Sequence, residues 1–205
     1  MRHGFPIARP GERIGLLGGS FDPAHEGHVH LSHVALTRFG LDRLWWLVSP
    51  GNPLKPDPPQ PLGARMDRAR EVMAHPSVEI TALEAALGTR YTAATLGALL
   101  PLYPGVRFTW VGGADILDEF HRWRDWRGIA QAVRLGFIAR PGQRLAARTS
   151  PAARILRPWR LPAAQSTALG GTPAPAWCFV NAPMVAANSS ALRAGGEWPI
   201  RGATD

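Results

Sequence analysis

The sequence predicts an α/β protein: a Rossmann-like, doubly wound parallel sheet in a three-layer α/β/α arrangement. Three observations carry that reading. Short apolar runs alternate with amphipathic stretches from end to end, as strands joined by helical crossovers do. One run, Leu44-Trp45-Trp46-Leu47-Val48, is apolar without alternation, as suits a strand covered on both faces. The first run, residues 13–18, feeds a turn with Gly18-Gly19 and then a helix.

In order, residues 1–12 contain Gly4, Pro6, Pro10 and Gly11 and are expected to form a poorly ordered leader. After strand 13–18, a helix over 26–39 is predicted by Val29, Leu31, Val34, Ala35 and Phe39, with Gly40 as its stop. The second strand, 44–48, runs into a proline-rich segment, 51–59, that cannot be regular structure. Residues 62–74 read as a helix with Arg65, Asp67, Arg68, Arg70 and Glu71 outside and Met66, Ala69, Val72 and Met73 inside. A short strand at 78–80 and a helix over 92–100, stopped by Pro101, follow. A fourth strand at 106–111 ends in Gly112-Gly113, 116–126 reads as one helix, and 133–139 is a fifth strand. Residues 141–176 are rich in Pro, Ala, Gly and Arg; so long a loop is unusual in a compact domain, so helices hide there or the segment moves. Residues 177–180 form a sixth strand, and Ser190 to Ala194 begin a terminal helix.

No internal repeat or separating linker is evident, so 1–205 is read as a single domain with enough apolar content for a core. One cysteine, Cys178, excludes an intrachain disulfide and fits a reducing compartment. The leader lacks an apolar signal-peptide core, and no run approaches the ~18 apolar residues of a membrane span. The expectation is a soluble, cytoplasmic protein without a membrane partner; oligomeric state is left open. The net charge is +8, and no acidic residue falls between Asp125 and Glu197, while Arg127, Arg134, Arg140, Arg144, Arg148, Arg154, Arg157 and Arg160 accumulate. Such a stripe suits an anionic partner, either nucleic acid or a phosphate-bearing substrate. Arginine so outnumbers the single Lys55 that composition bias accounts for part of it, and charge alone does not make a nucleic-acid binder.

The chemistry concentrates in Gly18-Gly19-Ser20-Phe21-Asp22-Pro23-Ala24-His25-Glu26-Gly27-His28. A glycine turn feeding a helix N-terminus is a ready anion site, with free N–H groups and a positive dipole end. The dinucleotide fingerprint and the P-loop are both absent. With His30 and His33 nearby, the histidines offer a metal alternative, but no acidic or cysteine cluster completes it, so no protein metal site is assigned.

This run resembles the signature of the nucleotidyltransferase superfamily that shares His-x-Gly-His with class I aminoacyl-tRNA synthetases. Later motifs resemble bacterial nicotinate-nucleotide adenylyltransferase in order and spacing. They are Asn52-Pro53-Leu54-Lys55, Arg90-Tyr91-Thr92-Ala93-Ala94-Thr95-Leu96, Gly112-Gly113-Ala114-Asp115, Phe120-His121-Arg122-Trp123-Arg124-Asp125-Trp126 and Ala139-Arg140-Pro141-Gly142. The resemblance covers roughly 13–193. The tyrosine–threonine and tryptophan motifs separate this family from pantetheine-phosphate adenylyltransferase, the nearest alternative; a basic nucleic-acid-binding protein is a more distant one. Two departures stand out. The late Ser-Ser-Thr-x-Ile-Arg motif reads Asn188-Ser189-Ser190-Ala191-Leu192-Arg193, and the sequence stops at Asp205 where the family usually adds a helix.

The resemblance implies adenylyl transfer from ATP to nicotinate mononucleotide, a step of NAD biosynthesis, with release of pyrophosphate. It implies that His25 and His28 are the catalytic donors to ATP phosphates. Gly18, Gly19, Ser20, Phe21, Lys55, Ser189, Ser190 and Arg193 would bind ATP and its phosphates. Tyr91, Thr92, Asp115 and Trp123 would bind the nicotinate nucleotide. Mg²⁺ would be held mainly through substrate phosphates. Each residue also has a plainer structural role open to it. Lys55 could be an exposed loop residue, Trp123 and Trp126 core residues, and Asp115, Ser189 and Ser190 helix caps.

Overall fold

The computed structural model describes residues 5–51, 58–139, 149–183, 189–196 and 198. Among the described residues, seven strands form one sheet: β1 (Arg13–Gly19), β2 (Arg43–Val48), β3 (Val78–Thr81), β4 (Arg107–Gly113), β5 (Arg134–Ala139), β6 (Arg160–Leu161) and β7 (Trp177–Asn181). Their order is β3-β2-β1-β4-β5-β7-β6, with every pairing parallel. The winding reverses between β1 and β4. In a doubly wound sheet that reversal opens a crevice beyond the carboxyl ends of the two strands, here Gly19 and Gly113.

Among the described residues, eight α-helices cover the sheet: α1 (Glu26–Arg38), α2 (Leu62–Val72), α3 (Leu83–Ala86), α4 (Thr92–Leu99), α5 (Ala114–Glu119), α6 (Trp126–Ala132), α7 (Pro151–Ile155) and α8 (Ser189–Ala194). Alternate strand residues point to opposite faces, and the core divides accordingly. Ile14, Leu16, Trp45 and Leu47 pack with Leu83, Leu96, Leu117 and Ile129 from α3 to α6. Leu17, Leu44, Trp46 and Val48 pack with Leu31, Ala35 and Ala69 from α1 and α2. The three-layer α/β/α reading holds. Each fully buried large side chain contributes roughly 1.5–3 kcal/mol, so Trp45 and Trp46, both at 0% exposure, anchor one layer each.

Helix α1 ends where Gly40 takes φ +58; a Cβ there would stand 2.2 Å from the Thr167 carbonyl oxygen. That contact comes from the 3₁₀ stretch Ala163–Gly171, whose Gly170 N–H donates to the Phe39 carbonyl. The long segment expected over 141–176 therefore holds built structure in its described part. Ser150 caps α7 and donates to the Leu117 carbonyl of α5, and β6 adds an edge strand beside β7.

Several expectations are corrected. The leader is anchored from Phe5 onward: Tyr103 donates to the Pro6 carbonyl, Arg43 to that of Ile7, and Gly11 N–H to Gly105. Residues 116–126 do not form one helix. The chain runs α5, then a 3₁₀ turn over Phe120–Arg122, then an extended Trp123, and restarts at α6. Asp125, inside the stretch read as one helix, is the left-handed N-cap of α6 (φ +49), accepting from Gly128 N–H. Six strands become seven because β6 has only two residues. No helix among the described residues is long and apolar enough to cross a membrane.

Candidate active site

The site begins where β1 runs out beside β4. A Cβ on Gly18 would lie 2.6 Å from the Trp110 indole, so this strand end can rest on Trp110 only as glycine. Phe21 then takes φ +48, which a bulky residue adopts only when packing compels it. Its ring supplies that packing: it is 2% exposed, stacks on Trp46 at 4.6 Å and lies 4.8 Å from the His28 ring.

His25 is the N-cap of α1, extended at φ −152, and its Nδ1 accepts the Gly27 N–H at 3.0 Å. His28 answers it: its Nδ1 accepts the His25 N–H at 3.2 Å. The pair is a reciprocal capping box written in imidazoles. An Nδ1 that accepts from a backbone amide leaves the ring proton on Nε2 in the neutral tautomer. Both rings therefore carry a donor on the edge turned from the helix, and their centroids lie 3.9 Å apart. The expectation of free helix amides is corrected here. Gly27 N–H goes to His25 Nδ1 and His28 N–H to the His25 carbonyl, so these two amides are already engaged within the turn.

The late serine–arginine motif comes to the same turn. Ser189 Oγ donates to the Pro23 carbonyl at 2.9 Å, Arg193 donates to the Asp22 carbonyl and to Ser190 Oγ, and Trp198 Nε1 donates to Asp22 Oδ1 at 2.7 Å. Helix α8 thus rests on the glycine turn although 166 residues separate Pro23 from Ser189. Lys55 and Asn188 lie outside the described residues.

The expected nicotinate-binding residues lie around α4 and the segment before α6. Tyr91 is the N-cap of α4 and makes no side-chain cap bond, so Thr92 opens a helix whose first amides its cap side chain leaves alone. Tyr91 is 40% exposed, with the Arg124 guanidinium 5.4 Å over its ring. Trp123 is half-buried and stands edge-on to Trp110 at 5.9 Å, which links it through one indole to Gly18. Trp126 is a core residue. Asp115 is not the N-cap of α5, a position held by Gly113; it lies exposed in the first turn at the carboxyl end of β4.

One residue here was read on the wrong side. Arg65 is 1% exposed, and its guanidinium donates to three carbonyls: Ser20 at 2.5 Å, Ser49 at 2.8 Å and Gln60 at 2.7 Å. Burial pulls its pKa down from the usual arginine value, with Asp22 opposing. Trp198 was missed as well, and no local signal marks it.

A parallel sheet with a reversal at β1/β4, a glycine turn and a His-x-Gly-His helix start define a nucleotidyltransferase-type domain, and the cytidylyltransferase-like family model matches residues 16–193. A Roseobacter denitrificans protein named "Probable nicotinate-nucleotide adenylyltransferase" is 61% identical over 97% of this chain and 100% of its own length. A Ruegeria pomeroyi protein of the same name is 58% identical over 97% and 93%. The chain belongs to the nicotinate-nucleotide adenylyltransferase family. Among solved structures, the Plasmodium falciparum nicotinic acid mononucleotide adenylyltransferase complexed with NaAD superposes with a TM-score of 0.67, at 15% identity over 89% of this chain and 83% of that one. At that identity the likeness speaks for the fold.

Proposed function

We propose that this protein transfers the adenylyl group of ATP to nicotinate mononucleotide, giving deamido-NAD and pyrophosphate. The observation that carries the chemistry is the histidine pair at the start of α1, each ring held through its own Nδ1 so that the neutral tautomer carries its proton on Nε2. A phosphate oxygen of the mononucleotide attacks the α-phosphorus of ATP. The new P–O bond forms as the bond from the α-phosphorus to the bridging oxygen breaks, and pyrophosphate leaves with that electron pair. The nucleophile is already ionised near neutrality, so no general base is needed. Catalysis is then positioning plus stabilisation of developing charge.

His25 and His28 donate to the phosphate oxygens. The Gly18–Phe21 backbone, Lys55, Ser190 and Arg193 hold the remaining ones, and Ser189 fixes α8 against Pro23. Mg²⁺, carried on the ATP phosphates, neutralises their charge when bound. Among the described residues no group of three or more His, Cys, Asp or Glu could hold a metal, and Asp22 accepts from Trp198 Nε1. Tyr91, Thr92, Asp115 and Trp123 receive the nicotinate nucleotide. The arginine stripe is partly engaged by the fold itself, since Arg134 donates to the Thr172 carbonyl and half-buried Arg160 lies over Trp177. That supports small phosphorylated substrates over nucleic acid. Buried Cys178 suits a reducing cytoplasm.

The test is pyrophosphate release from ATP with nicotinate mononucleotide, nicotinamide mononucleotide and phosphopantetheine in parallel. The α4 amides offer donors to a carboxylate, whereas a carboxamide NH₂ would meet them donor to donor. A preference of at least about tenfold in kcat/KM for the acid over the amide is expected, near 1.4 kcal/mol. Turnover with phosphopantetheine alone would overturn the assignment.

A further inference from the structure

Arg65 carries an inference beyond substrate contact. It is a buried cation whose three described hydrogen bonds all go to backbone carbonyls, and those carbonyls come from three places. Ser20 lies in the glycine turn, Ser49 immediately follows β2, and Gln60 precedes Pro61, the N-cap of α2. Ser49 and Gln60 therefore flank the proline-rich segment, and one guanidinium joins both flanks to the turn. In a trans peptide the carbonyl and the following N–H point in opposite directions. With the Ser20 carbonyl held on Arg65 at 2.5 Å, the Phe21 N–H must point away from it. Phe21 is also the residue with φ +48, so its peptide orientation is not one the chain adopts by default.

We propose that Arg65 is a positioning residue for ATP: it fixes the Ser20–Phe21 peptide so that the Phe21 amide faces the nucleotide phosphates, and it holds the flanks of the proline-rich segment in register with that amide. The assignment rests on the adenylyl-transfer reading. Arginine suits the task because Nη1 serves Ser20 and Ser49 while Nε serves Gln60. Lysine offers donors at one point only, so it can keep the first two bonds and lose the third. Methionine keeps the apolar stem and none of the donors.

The experiment is calorimetric binding of ATP, inorganic tripolyphosphate and nicotinate mononucleotide to wild type, Arg65→Lys and Arg65→Met, with thermal melts of each. Arg65→Met should weaken ATP and tripolyphosphate about 10–100-fold, roughly the loss of one or two preorganised donors, and leave the mononucleotide within about twofold. Arg65→Lys should fall between. Binding of ATP by Arg65→Met within about twofold of wild type overturns the proposal. An equal loss for all three ligands does so too, because that is what a merely loosened fold gives. If neither variant melts cooperatively, the wild-type ¹⁵N spectrum decides. The Phe21 amide must shift on adding tripolyphosphate and not on adding the mononucleotide, and an unmoved Phe21 amide overturns the role. A wild type that binds tripolyphosphate but releases no pyrophosphate with any acceptor would remove the adenylyl-transfer reading while leaving this binding test intact.

Discussion

The two poles we propose for the site, one for the phosphates and one for the pyridine ring, are built differently. At the phosphate pole, Phe21, His25 and Arg65 are 2%, 6% and 1% exposed, and both histidine rings and the guanidinium are held by backbone groups. At the pyridine pole, Tyr91 is 40% exposed, Trp123 is half-buried, and Asp115 and Arg124 lie at the surface. The difference fits what each pole would do in the proposed adenylyl transfer. Charge that spreads over a transferring phosphoryl group is stabilised only by donors already in place, because reorganising them during reaction would consume the gain. A flat ring needs only a face to stack on and a few amides, and stacking tolerates small displacements.

The largest expected effect tests the phosphate pole. His28→Ala should lower turnover about 10²–10³-fold, the cost of one preorganised donor. His25→Ala should do the same and also remove the α1 cap, costing about 0.5–2 kcal/mol of stability. His25→Asn separates the two roles. Its side-chain oxygen can still cap α1, so stability should recover while turnover stays low. An Asn variant with restored turnover would mean that capping, and not the Nε2 donor, is the contribution of His25.

At the pyridine pole, Trp123→Ala should raise KM for the mononucleotide about 5–20-fold by removing a stacking face, with ATP binding unchanged. Steady-state kinetics with each substrate varied in turn would show it. A comparable rise in KM for ATP would break the separation of poles, and the path for such coupling exists. Trp123 meets Trp110 edge-on, and Trp110 lies against Gly18.

Much of the phosphate pole was legible because it is local. A strand, two glycines and apolar residues at helical spacing specify β1, the turn and α1 over a short span of chain. Arg65 was placed outside because charged residues on a helix usually are. Yet it shares a face with Leu62, Ala69 and Val72, at spacings of three, four and seven, and that spacing was the available signal. Helix periodicity also ran through residues 123–125, where no glycine or proline marks the break. Asp125, a good N-cap residue three positions before Gly128, was the local cue. Strand β6 has two residues and therefore no period to read. The docking of α8 and Trp198 on Asp22 and Pro23 is a long-range fact that no window along the chain contains.

The smallest expected effect concerns the support beneath the pyridine pole, and there the poles converge. Glu84 is 5% exposed, and burial raises its pKa above the ordinary value of 4.5, partly offset by a hydrogen bond from Thr95. Thr95 Oγ1 lies 3.2 Å from Glu84 Oε1, 3.2 Å from the Tyr91 carbonyl and 2.9 Å from Thr89 Oγ1, whose hydroxyl can donate to it, yet Thr95 has one proton to give. As a carboxylate, Glu84 takes that proton; as an acid it can donate instead and release Thr95 to the Tyr91 carbonyl. The sign of the stability effect follows from linkage. Between the unfolded and the higher folded pKa the native state binds more protons, so the stabilisation is complete below pH 4.5 and is lost as pH rises through the folded value. Glu84→Gln keeps the shape and an acceptor for Thr95 but cannot ionise. Its melting temperature should therefore gain on wild type as pH rises from about 4 to 8, while KM for the mononucleotide moves less than about twofold. Thermal melts of both proteins across that range decide it. A pH-independent difference would mean that Glu84 keeps its charge in the fold at no cost, and that the Thr95 hydroxyl stays with Glu84 throughout.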